Sequence, residues 1–479
     1  MEMRKNKFFM MLAAAILLPL SCGGSKAAPE ITVMSPEDDD PVIEEVVVPQ
    51  SPWDSVSRIL SRIHEPVFRS TEYYITKYGS VAGGAQDALP GITAAIKQCS
   101  EDGGGHVVVP RGTFLCNGPI HLTGGVDLHL EDGAELVFST DASHYLPPVR
   151  TKWEGTELYN YSPLIYAYGV SNVAVTGSGT IIGKGGSGFQ KWYSLQKADQ
   201  EELRRMGREG VPVQERIFGD GHYLRPQVIN FVRCTGVYLQ GVLVKDVTFW
   251  SCHLAECTNV KIQGLSIISG GANSDGIDPE SCCDVLIERC YFKTGDDGIA
   301  IKSGRDQDGW RIDKPSENIV VRGCTFNTDW NAVCMGSEIS GGVRNVFVED
   351  CYIAKATNGL YCKSNKDRGG YAEDVYFRNI KVDSISGSLV LISSKYRGGE
   401  TTQDYPTPMR RFSFENISAV SAVTCLGLDG FTDLPIEDVT VKDVSIMQCP
   451  TPLNIKRYKG LVLDNVTVAG EILTAPADY

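Results

Sequence analysis

Asn273-Ser274-Asp275-Gly276-Ile277-Asp278 and Gly295-Asp296-Asp297-Gly298 bound the stretch on which the fold is read. Asp275 and Asp296 stand 21 residues apart. That is about one turn of a parallel β-coil, so in such a coil the two acidic clusters sit side by side on neighbouring turns. Carboxylates held together repel and resist ionising together. A chain that keeps them uses them for acid–base work or for a cation. Solvated aspartates capping glycine turns are the competing reading of either cluster alone, and the one-coil separation argues against it.

Outward from this stretch the chain repeats. The pattern apolar–x–apolar–x–x–apolar occurs at Val237 to Val242, Val260 to Leu265, Val285 to Cys290, Ile319 to Cys324 and Val346 to Cys351. It continues at Val375 to Ile380, Phe412 to Ile417, Val439 to Val444 and Leu461 to Val466, with an imperfect copy at Val173 to Ser178. From Val237 the steps are 23, 25, 34, 27, 29, 37, 27 and 22 residues. A minimum near 22 with longer insertions is what a parallel β-helix requires, whereas propeller blades repeat at about 40 residues or more. The expected fold class is therefore all-β, a parallel β-helix running long as one unit and capped by a short N-terminal helix. Cys290, Cys324 and Cys351 share one pattern position and are expected to stack inward as small buried thiols.

The ends read differently. Arg4, Lys5 and Lys7 precede an apolar run from Phe8 to Leu20, 13 residues, too short to span a bilayer comfortably. Ser21-Cys22 closes it as a bacterial lipoprotein cleavage site does. Residues 1–22 are expected to be a lipoprotein-type signal peptide with lipidation at Cys22; ordinary cleavage near Ala27 or Ala28 is the alternative. Either way the mature protein is expected to be exported to the periplasm, outer membrane or cell surface of a bacterium. Residues 23–50 are acidic and contain proline, as a flexible linker does. Residues 51–70 form a short N-terminal helical segment with Trp53, Val56, Leu60 and Ile63 on one face, and 71–479 the β-helix. A second helix, from Asp87 to Ser100, is expected to cover the open first coil. The net charge of -14 argues against wholesale binding to nucleic acid or to an anionic membrane surface. A polyanion is admitted only at a local basic cluster. The 15 cysteines contain no paired CxxC zinc pattern.

Two chemistries suit the aspartates. One is inverting glycoside hydrolysis, with an acid and a base roughly 6.5–9.5 Å apart to seat a water. Neighbouring coils lie about 4.8 Å apart, so side-chain divergence is expected to supply the rest. The other is calcium-assisted β-elimination of a uronate, with oxygen ligands for the cation. Asn273-Ser274-Asp275 and Gly295-Asp296-Asp297 resemble the first two signature motifs of the polygalacturonases, glycoside hydrolase family 28. The likeness runs from about Ile75 to the C-terminus. It takes in Ile75-Thr76-Lys77-Tyr78-Gly79, Ile299-Ala300-Ile301-Lys302-Ser303-Gly304 and Gly336-Ser337-Glu338-Ile339-Ser340-Gly341-Gly342.

The resemblance implies a right-handed, single-stranded parallel β-helix of the pectin-lyase-like type. It further implies inverting hydrolysis of α-galacturonosyl bonds in pectic polysaccharide or oligogalacturonide, by a monomer that needs no metal or other cofactor. By motif, Asp296 is the general acid, Asp275 and Asp297 position and activate the water, and Asn273 supports them. Two motifs depart from the family. Asp329-Trp330-Asn331-Ala332-Val333-Cys334-Met335 lacks the family's His, and Tyr361-Cys362-Lys363 keeps the Lys of Arg-x-Lys but loses the Arg. The departures point to a divergent substrate, such as a branched or rhamnose-containing pectin, or to reduced activity.

Substrate contacts are expected from Asn273, Lys302, Trp330, Asn331, Tyr361, Lys363 and Arg368. Lys366, Arg305, Lys395 and Arg397 complete a basic cluster suited to uronate carboxylates. Trp250, Trp310 and Tyr396 are further stacking candidates, each with core packing as its competing reading. His222 and His253 are read as hydrogen-bonded structural residues. A pectate-lyase-like elimination and a non-catalytic, polysaccharide-binding β-helix are the rival functions.

Overall fold

The computed structural model describes residues 51–399 and 403–477. The expected signal peptide, its Cys22 and the acidic linker lie outside the described residues. Among the described residues, no helix is long and apolar enough to cross a membrane.

Thirty-one strands form one continuous sheet. It winds as a coil in three ladders, parallel except for a last short pairing of Glu471–Ile472 with the preceding strand. The first ladder is the sequence repeat itself. Val173, Val237, Val260, Val285, Ile319 and Val346 are successive register partners. Val375, Phe412, Val439 and Leu461 continue the row. The second ladder stacks Ile181, Val244, Ile267, Phe292, Phe326 and Ile353. The third stacks Ile229, Cys252, Ile277, Ile299, Val333 and Leu360. Most of these side chains are wholly buried in one core, each Val or Ile contributing on the order of 1.5–3 kcal/mol by leaving water.

What bends each coil is a pair of residues the apolar pattern skips. The residue before the first apolar position and the residue before the third both take positive φ. Examples are Asn259 and Gly264 (52° and 64°), Asn318 and Gly323 (57° and 62°), and Asn345 and Asp350 (55° and 56°). Glycine, asparagine and aspartate enter this region at least cost, and Arg289 and Arg411 are the exceptions within the repeat. The asparagines also bond from coil to coil, Asn345 Nδ2 to Asn318 Oδ1 at 3.1 Å and Asn416 Nδ2 to Asn379 Oδ1 at 2.7 Å. The third apolar position carries the thiol stack. Cys290, Cys324 and Cys351 are 2%, 1% and 3% exposed, and each of the fourteen described cysteines is a free thiol. A second stack, Cys234, Cys257 and Cys282, lies at another corner.

The helix Leu89–Glu101 sets Ile92, Ala95, Ile96 and Cys99 into the main core and closes the first coil. The shorter helix, Asp54–Leu60, does not cap the coil. Val56, Ile59 and Ile63 pack against the outward side chains Leu286, Val320 and Phe347, because the first ladder's outer face is apolar there. Insertions between coils build a wall beside the third ladder. The hairpin Val149–Trp153 and Thr156–Asn160 and the helix Lys197–Arg208 share a core of Trp153, Leu158, Leu203, Phe249 and Trp250. The helix Asp306–Ile312 ties into this wall through Asp308, which pairs with the buried Arg216 at 2.9 Å.

Candidate active site

The acidic stretch falls where the coil enters the third ladder. Asp275 and Asp297 each precede a ladder residue by two positions, and the backbones bond in register. Gly276 N donates to Asp297 O at 2.9 Å and Gly298 N to Asn331 O at 2.8 Å. Asn331 is in turn the register partner of Asn358. Asp275, Asp297, Asn331 and Asn358 thus form one row across four coils. The glycines that follow the two aspartates are required by close approach. A Cβ on Gly276 would lie 2.3 Å from Gly298 O, and one on Gly298 would lie 2.7 Å from the Phe326 ring.

Asp296, one residue earlier, is held from two sides. Its Oδ2 accepts Asn273 N at 3.0 Å and its Oδ1 accepts Asp297 N at 3.0 Å. Asn273 can present its N–H this way because it sits at φ 55°. Its Oδ1 accepts Arg225 Nη2 at 2.6 Å. Arg225, buried and bonded also to Gln190, Gln196 and Ala272 O, is a site residue the sequence did not single out. It lies 48 residues before Asn273 in the chain.

One oxygen from each of Asp275, Asp296 and Asp297 lies within 4.8 Å of the others. Their nearest oxygens thus stand closer than the gap expected between acid and base: Asp275 and Asp297 hold equivalent positions on adjacent coils, and Asp296 is the chain neighbour of Asp297. A separation of this size suits one water bridging two carboxylates, through two hydrogen bonds of about 2.8 Å. Two ammonium groups share the space. Lys363 Nζ is 3.3 Å from Asp297 Oδ2. Lys302 Nζ lies 3.6, 3.8 and 3.9 Å from Asp278, Glu338 and Asp275, over the Trp250 ring. Burial, then the charges of Asp296 and Asp278, hold Asp275 well above the usual carboxylate range. Burial lifts Asp278 to about 8 against the pull of Lys302. Burial and the Asp297 charge lift Asp296 to about 6. Burial opposes charge on Lys302, but the carboxylates of Asp278, Glu338 and Asp275 outweigh it and raise the ammonium above its usual range.

These groups open into a cleft of about 400 Å³. The structure brings Asn273, Lys302, Trp330, Asn331, Tyr361, Lys363 and Arg368 to its lining, together with the three aspartates, Arg305, Trp250, Tyr396 and Arg397. Several of them face inward to protein partners. The Lys302 ammonium lies among carboxylates. Asn331 donates to Asp297 and accepts from Asn358. Arg368 is 5% exposed, donating to Ser337 O and pairing with Asp306 at 2.6 Å. Trp330, 53% exposed, is open to a ligand. Tyr361 and Tyr396 meet edge to face at 6.5 Å with Lys363 Nζ 5.5 and 5.4 Å from the two ring centres. Lys366 and Lys395 pair instead with Asp404 and Asp429. Trp310 packs on Tyr405. His253 is buried between Glu280, Gln227 and Asn230, and His222 bonds Asp199. The insertions contribute Glu154, Tyr193 and Arg204 to the lining, where Glu154 joins Arg204 and Arg305.

Known proteins resemble the chain over most of its length. The model of glycosyl hydrolases family 28 matches residues 99–465. A probable polygalacturonase of Vitis vinifera is 27% identical over 385 residues, 77% of this chain and 73% of that protein. An exo-poly-alpha-D-galacturonosidase of Dickeya chrysanthemi is 26% identical over 370 residues, 71% of this chain and 60% of that protein. Among solved structures, a hyperthermoactive exopolygalacturonase from Thermotoga maritima superposes with a TM-score of 0.85 at 35% identity, covering 88% of this chain and 96% of that one. With its carboxylate row, its coil and a match over most of its length, the chain belongs to glycosyl hydrolases family 28 and is a glycoside hydrolase.

Proposed function

We propose that the enzyme hydrolyses α-galacturonosyl linkages in pectic polysaccharide with inversion. Asp296 is the general acid. Its carboxyl, lifted to about 6 by burial and by Asp297, still carries a proton at mildly acidic pH and is the group to protonate the leaving oxygen. Asp297 takes the proton of the attacking water, and Asp275 orients that water from the neighbouring coil. The single observation behind this division is that three carboxylates share one 4.8 Å space in opposite settings. Asp297 accepts Asn331 on one oxygen and faces the Lys363 ammonium on the other, while burial raises Asp275, its register partner one coil earlier, and burial with the Asp297 charge raises Asp296. The reading falls if Asp296→Asn releases reducing galacturonate as fast as the wild type. Inversion is checked by the anomer first formed, since a retaining displacement gives the other one.

Elimination is the weaker alternative. Lys302 and Lys363 already place two cations among the carboxylates, where a lyase of that type holds its calcium. An ultraviolet-absorbing unsaturated product, abolished by chelator, would reverse the choice. Action from a chain end is the mode we favour. The insertions carrying Glu154, Tyr193 and Arg204 wall the cleft, and the Thermotoga relative is an exopolygalacturonase. Release of a single product size from the first turnover on decagalacturonate tests this. At the altered motifs the cleft presents Trp330, Tyr361 and Tyr396. These rings suit the apolar face of a neutral sugar such as rhamnose, and rates on rhamnose-containing against homogalacturonan oligosaccharides test that preference. We read the enzyme as exported and lipidated at Cys22, on the strength of its basic and apolar N-terminal run. Labelled palmitate that enters the wild type and not Cys22→Ala checks the anchor.

A further inference from the structure

Between Asp297 and the outer coils runs a line of groups that the family motifs do not account for. Ser388 N donates to Asn358 Oδ1 at 2.9 Å. Asn358 Nδ2 donates to Asn331 Oδ1 at 2.8 Å. Asn331 Nδ2 donates to Asp297 Oδ1, and Asn331 N donates to the same oxygen at 3.2 Å. Asn331 and Asn358 are 2% and 7% exposed, so water does not replace these partners.

The direction of the line follows from its far end. A backbone N–H can only donate, so Asn358 must turn its oxygen to Ser388 and its NH₂ to Asn331. Asn331 must then accept with its oxygen and present its NH₂ to Asp297. Flipping either amide sets donor against donor. The line therefore reaches Asp297 Oδ1 as a donor, and Lys363 reaches Oδ2 at 3.3 Å. A proton on Oδ1 would face two N–H groups and one on Oδ2 an ammonium. The other groups around the carboxylate are the acids Asp275, Asp278 and Asp296, the Lys302 ammonium and the buried Cys334 thiol. Asp275, in the same row one coil earlier, meets the Lys302 ammonium only at 3.9 Å, and its Oδ1 has no hydrogen-bond partner among the described residues.

We propose that Asn331 and Asn358 are positioning residues that form a one-way amide relay, anchored at Ser388 and keeping Asp297 the proton-accepting carboxylate of the site. The relay makes Asp297, and not its register partner Asp275, the base. Because Trp330 and Asn331 occupy the motif where the family has its His, the relay supplies orientation in this chain that does not come from a His. The proposal rests on Asp297 being the base of the hydrolysis proposed above.

The test is the pH profile of kcat/KM and the kcat and KM of Asn331→Ala, Asn358→Ala and Asn358→Ser on an oligogalacturonide, with wild type and Asp296→Asn alongside. Removing the last donor in Asn331→Ala lowers kcat about ten- to a hundred-fold, the size of one hydrogen bond to an ionised group. KM stays within about twofold, and the acidic limb moves to higher pH as Asp297 loses donors to its charged form. Asn358→Ala, one coil further away, gives the same shift at smaller amplitude, and it carries the test if Asn331→Ala does not fold. Asn358→Ser, which keeps a hydroxyl to donate, recovers part of the wild-type limb. An unmoved acidic limb in a folded Asn358→Ala overturns the relay, whatever happens to its rate. If that occurs while Asp296→Asn is inactive and wild type hydrolyses, the relay alone fails. If wild type yields an unsaturated product, the base assignment fails with it.

Discussion

Asp275 and Asp297 occupy the same position on neighbouring coils, yet they stand in opposite surroundings. On the Asp297 side, every hydrogen-bonding neighbour is a donor: Asn331 through N and Nδ2, and Lys363 through its ammonium. On the other side, Asp275 and Asp278 are buried together. Among the described residues no N–H donates to Asp278, and the Lys302 ammonium lies 3.6 Å away. Two carboxylates related by a single coil thus meet different neighbours, amide donors and an ammonium at Asp297 and a second buried acid at Asp275. The lesson is general for coiled folds. Repetition places like charges together, and the side chains contributed by the next coil decide which of them keeps its proton.

The largest effect should come from the group between the two sides. Asp296→Asn is expected to lower kcat by about 10²–10⁴-fold, the usual worth of a positioned general acid. With its carboxyl near 6, wild-type kcat/KM should fall as pH rises past about 6, a limb absent from the residual activity of the variant. Next is the counter-charge of the Asp275–Asp278 side. Lys302→Met leaves buried carboxylates without their cation and should cost about 3–5 kcal/mol of stability, read as a lower urea midpoint. An unchanged midpoint would mean that this side does not depend on its lysine.

The third effect tests the same side through pH. Asp278 lies near 8 when folded and near ~3.9 when unfolded. Its raised value favours folding fully below pH ~4, and the contribution is lost as pH climbs through 8. The melting temperature should therefore decline by a few degrees between pH 5 and pH 8.5, and Asp278→Asn should flatten that decline. The smallest effect belongs to the cleft rim, away from the comparison. Trp330→Ala should raise KM about three- to ten-fold with little change in kcat, as expected for loss of a stacking surface worth roughly 0.5–1.5 kcal/mol. A fall in kcat at constant KM would move Trp330 from substrate binding to catalysis.

The coil was legible because its period is written in side chains. The first ladder pairs the very residues that the apolar pattern lines up, from Val237 to Leu461. The cysteine stack follows from the same register. Left unread were the corner residues before the first and third apolar positions, although their Asn, Asp and Gly identities carry the signal. The helix Asp54–Leu60 was recognisable as amphipathic, but its docking face, Leu286, Val320 and Phe347, comes from strands more than 200 residues away. The carboxylates were found from spacing and motif. Arg225 and Asn358 were not, because nothing near them in the chain marks them and their partners belong to other coils.

The row of amino acids, then, already contained the coil, its inward thiols, the three aspartates and the two altered motifs, since each is a matter of local identity and regular spacing. Folding alone decided what each charged group faces. Lys302 and Asn331 read as substrate contacts in the chain, but in space one lies among Asp278, Glu338 and Asp275 and the other bonds Asp297. Protonation depends on burial and on neighbours within a few ångströms, and in a coil those neighbours come from turns some 20 to 70 residues away.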